Sequence, residues 1–308
     1  YKIKIMKKFL FHVSKIIIPI VLFFLVLEIA IRNIPNDYQL KKEYLDKNAE
    51  EINTLILGSS HTFYGVNPEY FSKKTFNAAY VSQSLDLDFE ILNAYNSKLK
   101  KLKTVIIPVS YFSLFETLET DIEKWRIKNY VLYYGLENNY NFTDNFETLN
   151  NDVKLNLKKA VKHYFLNKSF ITSSKLGWGT NFNSKNKKEF KGKYTSEKHT
   201  AKNFDLYDDN LNSLQKTIIL CQKKKINILF ITTPTHSSYF KNLNKIQLEK
   251  TSKTISVLVK NNSNCKYLNL LNSEKFTNED FYDADHLNEI GAKKLSLLLD
   301  YLVSHQNL

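Results

Sequence analysis

Apolar and polar residues follow two patterns along this chain. Five short stretches are almost continuously apolar and are bounded by turn-forming residues, which is typical of strands buried on both faces of a sheet. They are "TLILG" at 54–58, "KTFNAA" at 74–79, "KTVIIPVS" at 103–110, "INILFITTP" at 226–234 and "KYLNLL" at 266–271. Elsewhere apolar residues recur at spacings of three and four. This spacing predicts helices over residues 84–102, 206–225, 241–260 and 288–304.

Strands that alternate with helices predict a parallel sheet covered by helices on both faces. We therefore predict an α/β fold, a flavodoxin-like three-layer α/β/α domain, over about residues 50–305. Parallel sheets of this kind bind ligands at the carboxyl ends of their strands. Functional side chains are therefore expected directly after the apolar runs.

The alternation is interrupted between about residues 111 and 205, where Tyr, Phe, Asn and Lys are frequent. We interpret this tract as an insertion of short helices and loops that lies against one edge of the sheet. The expected organisation is then an anchor over residues 1–32, a polar connector over 33–50, and an α/β domain over 51–308 that carries the insertion.

The N-terminus has the pattern of a membrane anchor. A basic stretch, "KIKIMKK" at 2–8, precedes an apolar segment from Phe9 to Ile31, which exceeds the about 20 residues that span a bilayer. A cleaved signal peptide would have small residues after its apolar core, and "LEIAIRNIP" offers only Ala30. We therefore predict an uncleaved transmembrane helix and a single-pass protein of the cell membrane. The lysine-rich end should stay cytoplasmic, and the remainder should be extracytoplasmic, in the periplasm or on the outer face.

The composition excludes some classes of protein. With 308 residues, 43% hydrophobic and 24% charged, the chain has the composition of an ordered globular protein. The net charge of +13 comes almost entirely from lysine, since Arg32 and Arg126 are the only arginines. Nucleic-acid readers use arginine for phosphates and base edges, so we expect no nucleic-acid partner; the charge suits an anionic membrane or wall polymer. Cys221 and Cys265 lie in no metal-binding spacing, which predicts no metal and two buried free thiols, with a disulfide as the alternative.

Candidate chemistry follows the first predicted strand. In "LILGSSHT", Gly58 permits a tight turn and leaves Ser60 at the sheet edge where ligands bind. A serine hydroxyl becomes a nucleophile only when a base removes its proton. In "FYDADHLNEIGA" at 281–292, His286 follows the last predicted strand. Asp283 is placed to accept from its Nδ1, which leaves Nε2 free to act as the base.

Neighbouring residues have roles that the sequence leaves open. Asp285 is an alternative partner for His286, although the side chain of an immediate neighbour usually points away from the ring. His61 is adjacent to Ser60 and poorly placed to take its proton, so we interpret it as a pocket wall or a helix-start residue. His236 and Tyr111 each follow a predicted strand and are candidates for substrate binding.

These motifs resemble those of the SGNH (GDSL-like) hydrolases. "ILGSSHT" is similar to the first block of that family and "DADH" to the last, so the resemblance implies a catalytic triad of Ser60, His286 and Asp283. "FNAAYVSQSLDLDFEIL" is similar to the second block, in which Ser82 stands where the family usually has an oxyanion-hole glycine. The resemblance therefore implies that the amides of Ser60 and Ser82 form the oxyanion hole.

The third block departs from the family pattern. Where the family has Gly-x-Asn, this chain has "PVSYFSLF", in which Ser110 or Ser113 is the candidate substitute donor. This variant, the anchor and the aromatic insertion together resemble the membrane-tethered branch of the family, which includes DltD-like and alginate-acetylation proteins. Members of that branch work with a membrane-bound O-acyltransferase to modify surface polymers. The resemblance covers roughly residues 50–120 and 205–305.

Three functions are compatible with the sequence. The first is acyl transfer, often of acetyl, through Ser60 to a hydroxyl of a cell-surface glycan or related polymer, with no cofactor. The second is hydrolysis, in which the same residues remove acyl groups from a carbohydrate or lipid. The third is a non-catalytic anchored scaffold that binds the polymer through its Lys and Tyr surface. The anchor favours transfer over hydrolysis because tethering suits a membrane-borne donor.

Overall fold

The computed structural model describes residues 2–136 and 141–305. The chain divides into two compact units. The first, which we call the helical unit, consists of Tyr1–Gln39 and Trp125–Ile171. The second, the sheet unit, consists of Leu40–Lys124 and Thr172–Leu308. The tract that was interpreted as one insertion therefore contributes residues to both units.

The sheet unit is built on a single parallel sheet. Its strands are β1 Thr54–Ile56, β2 Thr75–Asn77, β3 Thr104–Pro108, β4 Asn227–Thr232 and β5 Cys265–Asn269. All neighbouring strands are parallel, and their order is β2-β1-β3-β4-β5. This is the order of flavodoxin-like doubly wound sheets. The structure thus confirms the α/β fold and the five strands predicted from the apolar runs.

The register of the sheet aligns apolar side chains across neighbouring strands. Leu55 of β1 pairs with Phe76 of β2 and Val105 of β3, and Phe230 of β4 pairs with Tyr267 of β5. The first four of these residues are almost fully buried. Because both faces of the central strands are covered, they read as continuous apolar runs rather than as an alternation.

The described residues also form eleven α-helices. They are α1 Lys2–Arg32, α2 Asp37–Asn48, α3 Ser60–Gly65, α4 Leu85–Tyr95, α5 Ile127–Asn129, α6 Val153–Tyr164, α7 Gly192–Lys198, α8 Tyr207–Lys223, α9 Ser237–Phe240, α10 Lys245–Asn261 and α11 Glu289–His305. The four helices predicted from residue spacing correspond to α4, α8, α10 and α11. In the sheet unit α4 packs against α8, and α3 packs against α11. The connector expected over residues 33–50 contains α2.

The helical unit contains α1, α5, α6 and a π-helical turn at Tyr130–Tyr134. Within the described residues, Ile3–Arg32 is the one helical segment long and apolar enough to cross a membrane. Its apolar side chains from Ile3 to Ile29 are mostly exposed. This helix is therefore available as the predicted anchor.

The end of α1 is fixed to the rest of the helical unit by buried polar groups. The carboxylate of Glu28 accepts hydrogen bonds from the backbone N–H groups of Glu147 at 2.9 Å and Thr148 at 2.8 Å. Arg32, one turn further along α1, pairs with the same carboxylate. Glu147 in turn forms a buried ion pair with Lys128. The helix end and the loop before α6 consequently form one packed structure.

The two cysteines of the sheet unit are both free and buried, as predicted. Cys221 lies on α8 and Cys265 begins β5. Burial raises the pKa of each thiol to about 12. Both side chains therefore act as small apolar residues of the core.

Candidate active site

The turn from β1 into α3 requires glycine. Gly58 has a φ of +108°, and a Cβ at this position would lie 2.0 Å from the ring of Pro108. The N–H of Gly58 donates to the buried carboxyl group of Asp88 at 2.8 Å. Burial raises the pKa of Asp88 to about 7. With the turn fixed in this way, α3 begins at Ser60 and presents its side chain at the carboxyl end of β1.

Ser60 and His286 are far apart in the sequence but meet at this edge of the sheet. Ser60 Oγ lies 2.8 Å from His286 Nε2, a hydrogen-bonding distance. On the other side of the ring, Nδ1 lies 2.9 Å from Oδ1 and 3.1 Å from Oδ2 of Asp283. A nucleophile, a base and an orienting carboxylate need this order and these distances.

The loop between β5 and α11 holds His286 in place. Asp283 Oδ1 also accepts from the backbone N–H of His286 at 2.9 Å, so one carboxylate contacts both the backbone and the ring. The N–H of Tyr282 donates to the carbonyl of His286 at 2.9 Å. Two residues later, Asn288 Oδ1 accepts from the N–H of Ile290 at 2.9 Å and caps α11. The imidazole is therefore fixed by both its loop and the following helix.

A second carboxylate lies against the same imidazole. Asp285 Oδ1 is 3.3 Å from His286 Nδ1, and Asp285 Oδ2 is 3.1 Å from His61 Nε2. The sequence analysis expected Asp285 to point away from the ring, and this expectation was wrong. The reason is local: Asp283 Oδ1 accepts from the N–H groups of both Asp285 and His286, which closes a tight turn. Asp285 consequently bridges two histidines while remaining buried.

The two carboxylates determine the charge of His286. Burial disfavours the imidazolium, but the negative charges of Asp285 and Asp283 outweigh it and raise the pKa of His286 to about 10. Burial also opposes ionisation of Asp285, yet the neighbouring His286 charge and the hydrogen bonds from His286 and His61 hold its pKa well below the ordinary value. The two carboxylates thus favour the imidazolium of His286, and the neutral imidazole, which is the form that acts as a base, becomes more abundant as the pH rises.

His61 extends this arrangement away from Ser60. A carboxylate only accepts hydrogen bonds, so the proton between His61 and Asp285 belongs to His61 Nε2. The other nitrogen of a neutral His61, Nδ1, then accepts from the hydroxyl of Ser110 at 2.8 Å, with Thr233 Oγ1 at 3.3 Å. A serine hydroxyl has one proton to donate. In this state Ser110 donates its proton to His61. To act as the predicted oxyanion donor, the Ser110 hydroxyl would need a different rotamer, or His61 a different protonation state.

A third histidine lies beside Asp285 but stays neutral. His199 Nδ1 is 3.9 Å from Asp285 Oδ2 and 2.9 Å from the hydroxyl of Tyr239. Burial lowers the pKa of His199 to about 4, despite the attraction of Asp285. The neutral ring shares one hydrogen bond with the Tyr239 hydroxyl at Nδ1. His199 therefore contributes shape and a hydrogen bond rather than charge.

The backbone at Ser82 has a conformation that favours glycine. Ser82 has a φ of +59°, in the left-handed region that glycine enters freely and most other residues avoid. Its hydroxyl donates to Glu123 Oε2, which offsets part of this cost. In the described part of the chain, the backbone N–H of Ser82 has no hydrogen-bond acceptor, and neither has that of Ser60. Both amides remain available to a ligand.

An aromatic stack lies beside His286. The ring of Phe182 is stacked between Tyr64 at 3.6 Å and Tyr282 at 3.8 Å, as measured between ring centroids. The Phe182 centroid is 5.3 Å from that of His286, edge to face. Phe182 comes from the tract that was interpreted as an insertion. That tract thus supplies one wall of the site, which sequence patterning did not indicate.

Tyr111 and His236, the predicted substrate-binding residues, have partners elsewhere in the sheet unit. Tyr111 is 2% exposed, and its hydroxyl accepts from the N–H of Asn244 at 3.0 Å. His236 Nδ1 lies 2.8 Å from Ser238 Oγ, and Nε2 lies 2.9 Å from Asn278 Oδ1. These contacts indicate that Tyr111 packs in the core and that His236 caps α9. Their binding to a substrate stays a prediction.

The Asp285–His61 contact could have been found from the sequence. Ser60 is followed by His61, and His286 is preceded by Asp285, so a meeting of Ser60 with His286 also brings their neighbours close. His61, Asp285 and His286 place potential metal-ligand atoms within 4.8 Å of one another. The hydrogen bonds between the two histidines and the carboxylate account for this grouping without an ion.

No protein-family model and no curated protein matches the chain. Among solved structures, it is similar to a Streptococcus pneumonia protein provisionally described as a platelet activating factor, with 13% identity and a TM-score of 0.41 over 94% of this chain and 99% of that one. It is also similar to a Bacteroides fragilis protein provisionally described as an acylhydrolase, with 10% identity and a TM-score of 0.40 over 85% and 94% of the two chains.

Proposed function

We propose that this chain is a membrane-anchored serine enzyme of the SGNH type that transfers an acyl group through Ser60. The observation that carries the proposal is the 2.8 Å contact between Ser60 Oγ and His286 Nε2, with Asp283 at the opposite ring nitrogen. A non-catalytic scaffold has no need for this arrangement. An enzyme is therefore a better hypothesis for this chain than a scaffold that binds a polymer through its Lys and Tyr surface.

The reaction proceeds in two steps. In the first, His286 Nε2 takes the proton of Ser60 as Oγ attacks the carbonyl carbon of an acyl donor, and the leaving group departs with that proton. The product is an acyl ester on Ser60. In the second step an acceptor hydroxyl gives its proton to His286 and attacks the ester. His286 then returns that proton to Ser60 Oγ as the ester bond breaks, which releases the acylated acceptor and restores Ser60. Asp283 orients the ring, and both Asp283 and Asp285 stabilise the imidazolium that forms in each step.

The negative oxygen of the tetrahedral intermediate needs hydrogen-bond donors beside Ser60. The amides of Ser60 and Ser82 are the donors we propose, because both are unpaired among the described residues and Ser82 has the backbone conformation of a glycine. Removal of one such donor typically lowers the rate by about 10²–10³-fold.

The acceptor we propose is a hydroxyl of an extracytoplasmic glycan or related surface polymer. The apolar helix α1 supports a membrane location, and the lysines before its apolar segment favour a cytoplasmic N-terminus. A donor supplied through a membrane-bound O-acyltransferase suits such an anchored enzyme. Hydrolysis is the second candidate, since water can replace the polymer hydroxyl in the second step without any change in the residues.

Mass spectrometry of the intact protein tests the nucleophile. We expect incubation with p-nitrophenyl acetate to add one acetyl group at Ser60. Ser60→Ala should abolish this adduct, whereas the matched control Ser59→Ala should keep it. Ser59 is adjacent, and its hydroxyl is buried without a partner among the described residues. An adduct that persists in Ser60→Ala and is lost in Ser59→Ala would reject the assignment.

The fate of the acetyl group separates transfer from hydrolysis. The acetylated protein is divided between buffer alone and buffer with a soluble glycan, and acetate and acetylated glycan are measured. Transfer predicts that the glycan accelerates loss of the adduct and carries the acetyl group. Hydrolysis predicts that acetate appears at the same rate in both samples. If neither Ser60→Ala nor Ser59→Ala changes modification of the surface polymer, the scaffold becomes the better hypothesis.

A further inference from the structure

Helix α6 of the helical unit has an exposed apolar stripe. Val153, Leu157, Val161 and Tyr164 recur at spacings of four, four and three, which places them on one face of the helix. Leu157, Val161 and Tyr164 are between 40% and 48% exposed. The next two residues, Phe165 and Leu166, are 79% and 67% exposed. Apolar exposure of this extent in one short segment marks a surface that contacts something other than water.

Lysines run along the same helix beside the stripe. Lys154, Lys158 and Lys162 each follow a member of the stripe by one position, so they form a parallel row about 100° around the helix. A third side of α6, between the lysine row and the stripe, faces the helical unit, where Asn156 is buried and Lys159 reaches Glu147. The helix thus has a packed side, an apolar side and a basic side. This combination is typical of helices that lie in the surface of an anionic membrane.

The contact between α6 and α1 indicates what this surface binds. The hydroxyl of Tyr164 donates to the carbonyl of Ala30 at 2.8 Å. Ala30 directly follows Ile29, the last of the exposed apolar residues of α1. The loop before α6 is fixed to Glu28 through the backbone of Glu147 and Thr148. The stripe therefore begins where the apolar part of α1 ends.

We propose that α6 lies in the membrane surface, with its stripe at the boundary between headgroups and acyl chains and its lysine row on anionic lipid headgroups. The inference rests on the anchoring role of α1 in the proposed function and adds a second lipid contact to it. Tyr164 at this level fits the preference of tyrosine for the membrane interface. Lysines near an anionic surface add electrostatic attraction to the lipid headgroups. The helix α1 alone would fix only the depth of the helical unit in the membrane, whereas α1 and α6 together also fix its orientation relative to the membrane.

Fluorescence quenching in reconstituted full-length protein tests the proposal. Leu157→Cys and Leu155→Cys are labelled with bimane in vesicles of phosphatidylcholine and phosphatidylglycerol that contain a shallow nitroxide lipid. The two positions are matched, since both are exposed leucines of α6, at 40% and 58%, but they lie on nearly opposite faces. Unsubstituted protein corrects for any label on the native cysteines. Val21→Cys with a deep nitroxide lipid reports whether α1 is inserted.

We expect quenching at Leu157→Cys to be at least about twofold stronger than at Leu155→Cys. It should weaken when phosphatidylcholine replaces the anionic lipid. Equal or absent quenching at the two α6 positions, with Val21→Cys quenched, would overturn the inference and leave the anchor intact. That result would point to a protein partner or to solvent. Absent quenching at Val21→Cys would overturn the anchoring role itself, and this inference with it.

Discussion

Asp285 provides the sharpest test of how the candidate active site works. Asp285→Asn keeps the shape of the side chain but removes a charge that lies 3.3 Å from His286 Nδ1. Only the neutral imidazole accepts the proton of Ser60. Because nearby carboxylates raise the pKa of His286, the rate in unsubstituted protein should rise with pH and reach half its maximum well above pH 6.5. Removing one carboxylate should move the rising part of the pH–rate profile to lower pH.

The size of the shift follows from the distance. Two unit charges 3.3 Å apart interact by about 5 kcal/mol at an effective dielectric constant of about 20 and by about 1.3 kcal/mol at about 80. Since one pKa unit corresponds to about 1.4 kcal/mol, the shift lies between about 1 and 4 units. Asp285 is buried, which favours the larger part of this range. The maximal rate should fall as well, because the imidazolium of the transition state loses the same stabilisation.

The assay measures initial rates of p-nitrophenyl acetate hydrolysis by the full-length protein from about pH 5 to pH 10, with the rate of Ser60→Ala subtracted at each pH. Glu279→Gln is the matched control. It removes a carboxylate a few residues from Asp285, but the Glu279 side chain is 79% exposed and contacts Lys187. Water screens such a charge, so its profile should coincide with that of the unsubstituted protein.

An Asp285→Asn profile that coincides with the unsubstituted one would refute the electrostatic role of Asp285. A shift to higher pH would contradict the sign of the argument. A similar shift in Glu279→Gln would show that the profile reports the overall charge of the protein rather than the carboxylate facing His286.

Three further predictions concern the turns that hold the site. Gly58→Ala forces a Cβ against Pro108 at a φ of +108°, so urea titration should show a loss of at least about 2 kcal/mol or no folded protein. Asp88 holds its proton in the fold with a pKa of about 7 but ionises near 3.8 when unfolded, so stability should fall as the pH rises from about 4 to 7. Asp88→Asn should remove the part of that dependence that lies between pH 5 and pH 8, about 3 kcal/mol, in urea titrations at those two pH values. Ser82→Gly should keep activity and thermal stability, whereas Ser82→Val at a φ of +59° should lower stability by about 1–3 kcal/mol.

The sheet was predictable because its central strands β1, β3 and β4 are buried on both faces and therefore read as apolar runs. The same argument placed Ser60 and His286 at one edge, since each follows a parallel strand. Their contact depends on sheet topology, which the order of strands and helices indicates. The capping of α11 by Asn288 is also predictable from sequence, because a helix cap is adjacent in sequence to the helix that it caps.

Two features of the site and its surroundings required the structure. The contact of Asp285 with His286 depends on the rotamer and turn geometry of a few loop residues, and no spacing rule describes it. The tract between β3 and α8 lacks the alternation of strands and helices that indicates how the rest of the chain folds, so neither the wall formed by Phe182 nor the position of α6 could be predicted. The apolar stripe of α6 has helical spacing, but only the contact with Ala30 relates it to α1.

The buried cysteines affect how the sheet unit tolerates oxidation. Disulfide exchange proceeds through the thiolate, and a thiol with a pKa of about 12 is ionised in only about three molecules per 100,000 at pH 7.5. Outside the cytoplasm, accessible thiols of low pKa react with disulfides and oxidants. Cys221 and Cys265 present neither an accessible sulfur nor a thiolate. On the outer side of a membrane, the sheet unit would therefore keep both thiols reduced without a disulfide and without help from an oxidoreductase.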